Sequence, residues 1–300
     1  LETLELVSRL HGREVLQSGA LASCLQYLDF FTIHAQRKAV SIVANSCTKV
    51  RMDSFETIQT LFVLLKPIFA NASDQPIVSK LLNALYGVCG GLRDAKMLES
   101  LFTSEVVERL LKLSSAVDSQ LEDRLKCLDI LSVLVNLSSE ISKELLESCD
   151  LIRILEECFA CYSKNPNATL HETLMFVPKP LLHAIARTTA LLLPTEHEQL
   201  LSVDTPKQVT LAADNERVSK TLTNLTPLLI EIFINTVDFD VRRCVLIALA
   251  RIVSFLKSPL TGEIDRNIIH LVGTTLAQNE TALDQGKNQA IVSGGLIIGV

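Results

Sequence analysis

The sequence contains no Trp, and aromatic residues make up only 5% of its 300 positions. Gly and Pro are sparse as well, with 11 and 9 residues. β-Sandwiches and barrels use more aromatic side chains and more of the turn-forming residues, so this composition argues against both classes. With 48% hydrophobic residues and a mean hydropathy of +0.32, the chain is expected to fold into packed helices.

An excess of positive charge and a long hydrophobic run are also missing. The net charge is -6 and the isoelectric point is about 5.6, which argues against binding to nucleic acid. No apolar run reaches the roughly 18 residues that a membrane-spanning helix needs. A protein partner is therefore expected, with neither nucleic acid nor membrane.

The eight cysteines are scattered over apolar positions and do not form a dense framework. This distribution fits reduced thiols and predicts a location in the nucleus, the cytoplasm or both. The chain begins with Leu1 and stops at Val300 within an apolar, helix-like segment. We interpret it as an internal, monomeric fragment of a longer protein.

Short segments of the sequence repeat. The segments "LQSGALASCL", "FTSEVVERLL" and "LESCDLIRIL" begin at residues 16, 102 and 146, and each has Ser at its third position. Apolar residues occupy the first, sixth and tenth positions of all three. Their separations correspond to about two units and one unit of roughly 43 residues, which is the length of armadillo and HEAT repeats.

A second set of apolar segments follows the first. Residues Ala35 to Asn45 align with Val241 to Arg251, and similar stretches occupy 81–92, 127–139 and 181–193. Helices that are apolar nearly all round must be covered on both sides, as in a stack of repeats. The sequence therefore predicts an all-α, armadillo/HEAT-like α-solenoid, a right-handed superhelix of stacked helical repeats. We expect one solenoid over 1–300, with repeats near 1–50, 51–92, 93–140, 141–193, 218–258 and a truncated 259–300.

Two polar segments interrupt this pattern. Residues 194–217 contain Asp204-Thr205-Pro206 and are predicted to form a long loop insertion. The acidic turn "DFDVRR" at 238–243 precedes the apolar stretch that starts at Val241. Its carboxylates are expected to stabilise the N-terminus of the following helix.

The segment "YLDFFTIHAQRKAVSIVANSC", residues 27–47, resembles the armadillo region of HECT-type ubiquitin ligases of the ubiquitin-fusion-degradation class. That class includes the thyroid-receptor-interactor ligase of animals and the KAKTUS-type ligases of plants. The specific part is "YLDFF" followed by "AQRKA" and "AN-C", and residues 228–255 resemble a later repeat of the same family.

The resemblance implies a parent enzyme whose C-terminal HECT domain carries ubiquitin as a thioester and contacts the E2 enzyme. Nothing in this chain resembles that domain, so the implied role of the segment is recognition of substrate proteins or of ubiquitin attached to them, for polyubiquitination and proteasomal degradation. A scaffold or transport adaptor of the HEAT/armadillo type, unrelated to ubiquitin, is the alternative. A HECT domain in the same reading frame would decide for the ligase.

Polar residues on the second helices are the candidate contacts of a concave recognition face. Asn side chains can bond a peptide backbone through both donor and acceptor, although they can also cap neighbouring turns. Importin-like carriers place Trp four residues before such an Asn, whereas this chain has Ser. Cations there could meet an acidic partner or remain solvated. The candidates are Arg37, Lys38, Ser41, Asn45, Ser132, Asn136, Arg243 and Arg251.

Other conspicuous residues have structural interpretations. Tyr27, Phe30 and Phe31 have the spacing of one helical face and are predicted to be core, while His34 is expected in a turn or cap. The CxxC of Cys158 and Cys161 lacks a second tight ligand pair and is interpreted as structural. The sequence indicates no catalytic residue, no cofactor site and no metal site.

Overall fold

The computed structural model describes residues 1–147, 151–163, 165, 167–195, 205–212, 215–256, 266 and 270. These residues form α-helices joined by short turns, and no strand occurs among them. The predicted all-α class of stacked helices is confirmed. The helices are α1 Glu2–Leu10, α2 Gly12–Gln17, α3 Ala20–Gln26, α4 Ile33–Cys47, α5 Phe55–Asn71, α6 Gln75–Gly91, α7 Ala95–Leu101, α8 Ser104–Ser115, α9 Leu121–Leu137, α10 Ser139–Glu147, α11 Leu151–Ala160, α12 Leu170–Leu174, α13 Lys179–Leu192, α14 Pro206–Ala212, α15 Asn215–Asn235 and α16 Phe239–Leu256.

Side-chain caps explain where several helices begin. Thr32, Asp74 and Asp94 precede α4, α6 and α7, and each accepts a hydrogen bond from a backbone N–H in the first turn. Asp238 accepts from the N–H groups of Asp240 and Val241, at 3.1 and 3.2 Å. Such caps satisfy donors that the helix itself leaves unpaired. The prediction for the acidic turn before Val241 is confirmed.

The helices group into two compact units, residues 1–138 and the described residues from Ser139 onward. The sequence suggested a single solenoid over 1–300. That single solenoid stays a prediction. The six repeat boundaries and the right-handed superhelical course stay predictions.

Two rows of helices build the unit of residues 1–138. Helices α1, α4, α6 and α9 pack in sequence along one row, and α3, α5 and α8 pack along the other. The apolar faces of both rows meet in a core that contains the fully buried Phe62 and Phe102, whose rings lie edge to face with centroids 5.6 Å apart. The apolar stretches predicted at Ala35 to Asn45, 81–92 and 127–139 supply α4, α6 and α9.

Glycines let α6 approach the C-terminal end of α4. A Cβ atom on Gly87 would lie 2.3 Å from the carbonyl oxygen of Cys47, and one on Gly91 would lie 2.3 Å from that of Val50. Both distances are far below van der Waals contact, so neither position has room for a side chain. These helices therefore meet backbone to backbone.

In the second unit, α13 packs on α16, and α15 packs on both α10 and α16. The stretches predicted at 181–193 and Val241 to Arg251 supply α13 and α16. Among the described residues, no helix is long and apolar enough to cross a membrane.

The loop predicted at 194–217 requires correction. Residues 206–212 form α14, and α15 begins at Asn215. Thr205 and Gln208 exchange the two hydrogen bonds of a capping box, and Leu211 is fully buried. Thr205 with Pro directly after it and Gln three residues after it is a helix-start signal, and this signal outweighs the polar composition of the segment. The remainder of the predicted loop at 196–204, and nearly all of the truncated repeat at 259–300, lie outside the described residues.

Candidate functional site

Helix α4 carries four of the predicted contact residues, and the structure gives three of them, including the buried Ser41, partners on α1. Lys38 Nζ lies 2.5 Å from a carboxylate oxygen of Glu2, and Ser41 Oγ donates to Glu5 over 3.2 Å. Asn45 Nδ2 donates to Ser8 Oγ over 3.0 Å. We call Lys38, Ser41 and Asn45 the α4 face. Its polar groups are engaged by the neighbouring helix.

Arg37 lies beside this face and joins α4 to α6. Its Nε and Nη2 donate to the two carboxylate oxygens of Asp74 over 3.1 and 2.7 Å. These hydrogen bonds hold the pKa of the Asp74 carboxyl below its ordinary value. Asp74 also caps α6, so one carboxylate serves both the helix terminus and the bidentate pair.

The other predicted contacts divide by burial. Ser132 is 1% exposed and donates to the carbonyl oxygen of Asp129, while Arg251 is 9% exposed and donates to that of Ala190 over 2.6 Å. Buried groups of this kind cannot meet a partner, which corrects the expectation for both. Asn136 and Arg243 are exposed and make no hydrogen bond or ion pair within the described chain.

A surface between α6 and α9 contains one predicted contact residue, Asn136, and four residues that were not predicted. Lys126 on α9 donates to the side-chain oxygen of Asn83 on α6, so the outward sides of the two helices adjoin. Exposed Lys80 and Tyr86 lie one turn to either side of Asn83, and exposed Asn136 lies farther along α9. We call these five residues the α6–α9 surface. The sequence signal that could have indicated this surface is Asn83 followed three residues later by Tyr86 in an otherwise apolar helix.

The turn before α4 departs from its predicted role. Tyr27 and Phe30 are 53% and 85% exposed, and their ring centroids lie 6.4 Å apart. The predicted core position is wrong for both, because α3 ends at Gln26 and residues 28–30 form a 3₁₀ turn in which α-helical spacing does not apply. We call Tyr27, Phe30 and the half-exposed Ile33 the turn surface.

Histidine 34 is also placed differently from the prediction. Thr32 caps α4, and His34 lies inside the first turn of that helix with an exposed side chain. Thr32, with its hydroxyl accepting from Ala35 N–H, does the capping that was expected of His34. A β-branched hydroxyl residue directly before an apolar helix is the usual sequence mark of this role.

Cysteine chemistry is suppressed in the packed interior. Cys47, Cys89 and Cys127 are fully buried, and burial raises the pKa of all three thiols, that of Cys47 to about 12. Thiols of this kind stay protonated and are poor nucleophiles. Cys158 is buried on α11, and no group of three or more metal-binding side chains occurs among the described residues.

Comparison with known proteins gives relatives along the whole chain. No family model matches. The chain is 45% identical over 302 aligned positions to ubiquitin fusion degradation protein 4 of Saccharomyces cerevisiae, covering all of this chain and 20% of that protein. Over 65 positions, covering 22% of the chain and 3% of each relative, it is 46% identical to the E3 ubiquitin-protein ligase TRIP12 of Danio rerio and 38% identical to the ligase UPL3 of Arabidopsis thaliana. The resemblance drawn from residues 27–47 is confirmed.

Solved structures share the fold at low identity. An engineered protein superposes with a TM-score of 0.52 at 16% identity, covering 92% of this chain and 98% of that one. A designed armadillo repeat protein superposes with a TM-score of 0.49 at 14% identity, covering 83% and 90%. At 16% identity, the likeness to the engineered protein concerns the fold alone.

Proposed function

We propose that this chain, a homologue of about one fifth of the length of yeast ubiquitin fusion degradation protein 4, is the recognition segment of a HECT-type E3 ubiquitin ligase. In this role it binds a substrate, or ubiquitin already attached to the substrate, and a HECT domain elsewhere in the parent protein transfers further ubiquitin. The similarity along the entire chain is the observation that carries the proposal, because it relates every repeat to a ubiquitin-fusion degradation protein and does not depend on one motif.

Three buried cysteines are unsuited to accepting ubiquitin. A cysteine that accepts ubiquitin must be exposed and must reach the thiolate form readily. Cys47, Cys89 and Cys127 meet neither condition, since they are buried and keep their protons. The proposal therefore assigns these three cysteines to packing.

The α6–α9 surface is the proposed place of contact. Exposed Asn136 offers an amide with donor and acceptor, and exposed Tyr86 offers an aromatic ring with a hydroxyl. Tyr is enriched at protein interfaces because it combines a large apolar body with a polar end. Helices α6 and α9 hold these side chains on a packed scaffold, which limits the entropy that binding would cost.

The test measures binding of the 300-residue chain to a linear fusion of ubiquitin and a reporter protein, with the unfused reporter for comparison. We expect the fusion to bind and the Tyr86→Ala/Asn136→Ala double variant to bind about tenfold more weakly, as for one interface hot spot. Val117→Ala, at an exposed turn outside this surface, is the matched control and should bind normally. Equal affinity for fused and unfused reporter would exclude recognition of attached ubiquitin, and a ubiquitin thioester on the chain itself would refute the division between recognition here and transfer in a HECT domain.

A further inference from the structure

A groove separates the turn before α4 from the end of α5. Its volume is about 480 Å³, and it is open to solvent. Leu25, Leu28, Leu64 and Ile68 line it with apolar side chains, and Ile33 of the turn surface borders it. Polar side chains line the groove as well, but its apolar part and the exposed Ile33 at its border can hold an aliphatic side chain from a partner.

The walls of the groove are held in place by hydrogen bonds. Gln36 Nε2 donates to the carbonyl oxygens of both Leu28 and Phe31, each over 3.1 Å. On the opposite wall, Asp74 is fixed by Arg37 and by its capping bond to Ile77 N–H. A groove that is formed before its ligand arrives costs less ordering entropy on binding.

The charge on the rim is negative. Asp29 and Asp74 both line the groove, and Asp74 is neutralised by Arg37. Asp29 is exposed, and its carboxylate makes no hydrogen bond or ion pair with the described residues. An exposed carboxylate at the rim of a groove attracts a cation as an ion pair.

We infer that this groove binds a linear protein segment in which an aliphatic side chain lies close to a Lys or Arg. The aliphatic side chain enters between Leu28 and Ile68, and the cation meets Asp29. The inference goes beyond the proposed function, because it concerns a second surface and holds whether or not the α6–α9 surface binds ubiquitin.

Fluorescence polarisation with short labelled peptides tests this recognition. The probe is a Gly-Ser peptide that carries two Leu-Gly-Lys triplets, and the comparison peptides have Glu in place of Lys or Ser in place of Leu. The 300-residue chain should bind the probe about tenfold more tightly than either comparison peptide, the difference that one charged or one apolar anchor makes. Equal binding of all three peptides, or no binding of the probe, would overturn the inference.

Variants then locate the binding site. Asp29→Lys should lose binding of the Lys peptide and gain binding of the Glu peptide, because the charge at the rim is reversed. Position 29 is exposed, so the variant should melt at the wild-type temperature. Val117→Ala removes an exposed apolar side chain elsewhere and should change nothing. An Asp29→Lys variant that still prefers the Lys peptide would contradict this binding site. Binding of the same variant to the ubiquitin fusion tests the proposed function separately.

Discussion

The α4 face and the turn surface lie next to each other in the chain and have opposite characters. Lys38, Ser41 and Asn45 are polar, and all three hydrogen-bond to α1. Tyr27 and Phe30 are aromatic, and both are exposed to solvent. In a stack of helices, polarity therefore does not identify the free surface. The neighbouring helix decides which residues a partner can reach.

Substitution of a buried aromatic residue should have the largest effect on the free energy of unfolding, and substitution of an exposed one almost none. Phe62→Ala should lower the free energy of unfolding by about 3–5 kcal/mol, because the ring is fully buried against Phe102. Phe30→Ala should change it by less than about 0.5 kcal/mol, because that ring is exposed. Urea unfolding followed by circular dichroism measures both, and similar losses for the two variants would place Phe30 in the core.

A pair of glycine variants tests the close contact between α4 and α6. Gly87→Ala would place a Cβ against the carbonyl of Cys47, so α6 must shift and stability should fall by about 2 kcal/mol. Gly90→Ala adds the same group to the same helix where nothing lies within 4 Å. It should leave stability unchanged or raise it by up to about 0.5 kcal/mol. If thermal melting does not distinguish the two alanine variants, the close contact between the helices is not formed.

The buried thiols predict how stability depends on pH. Unfolded Cys loses its proton above about pH 8.5, whereas folded Cys47 keeps it until about pH 12. The stabilisation of the folded state by the protonated Cys47 thiol is therefore complete below about pH 8.5 and is lost as pH rises towards about 12. At about pH 10 the free energy of unfolding should be lower by about 1–2 kcal/mol. Urea unfolding at neutral and alkaline pH measures the loss. Cys47→Ala should show a smaller loss between the two pH values than the wild type, and an identical loss would count against burial of this thiol.

The smallest effect tests the α4 face itself. Asn45→Ala removes the hydrogen bond to Ser8 and should cost about 0.5–1.5 kcal/mol. Because α1 engages this side chain, affinity for the ubiquitin fusion should stay at the wild-type value. The Tyr86→Ala variant is the counterpart, with lower affinity and unchanged stability. A loss of affinity in Asn45→Ala without a loss of stability would restore the α4 face as a contact surface.

The long helices could be predicted from sequence because their apolar residues leave few alternatives. A segment such as Ala35 to Asn45, apolar nearly all round, is stable only between two other helices. Short elements carry no such pattern, and α14 was visible only through Thr205, Pro206 and Gln208. The aromatic turn was misassigned because α-helical spacing was applied across the end of α3.

The candidate site was harder to predict for a different physical reason. Whether Ser132, Arg251 or Asn136 is accessible depends on which helix packs beside it, and that helix is distant in sequence. Arg251 is buried because it reaches the carbonyl of Ala190 on α13, a contact that no pattern around residue 251 announces. Residue type alone could therefore suggest contacts but could not separate them from packing.

The glycine contacts between α6 and α4 also bear on how this unit opens. Side chains can slide or change rotamer when a helix moves, but carbonyl groups pressed against Gly87 and Gly91 have no such freedom. Detaching either helix would break the contacts at Gly87 and at Gly91 at the same time. Amide hydrogens of α4 and α6 should consequently exchange with solvent in a single cooperative event, so that two neighbouring repeats act as one dynamic element.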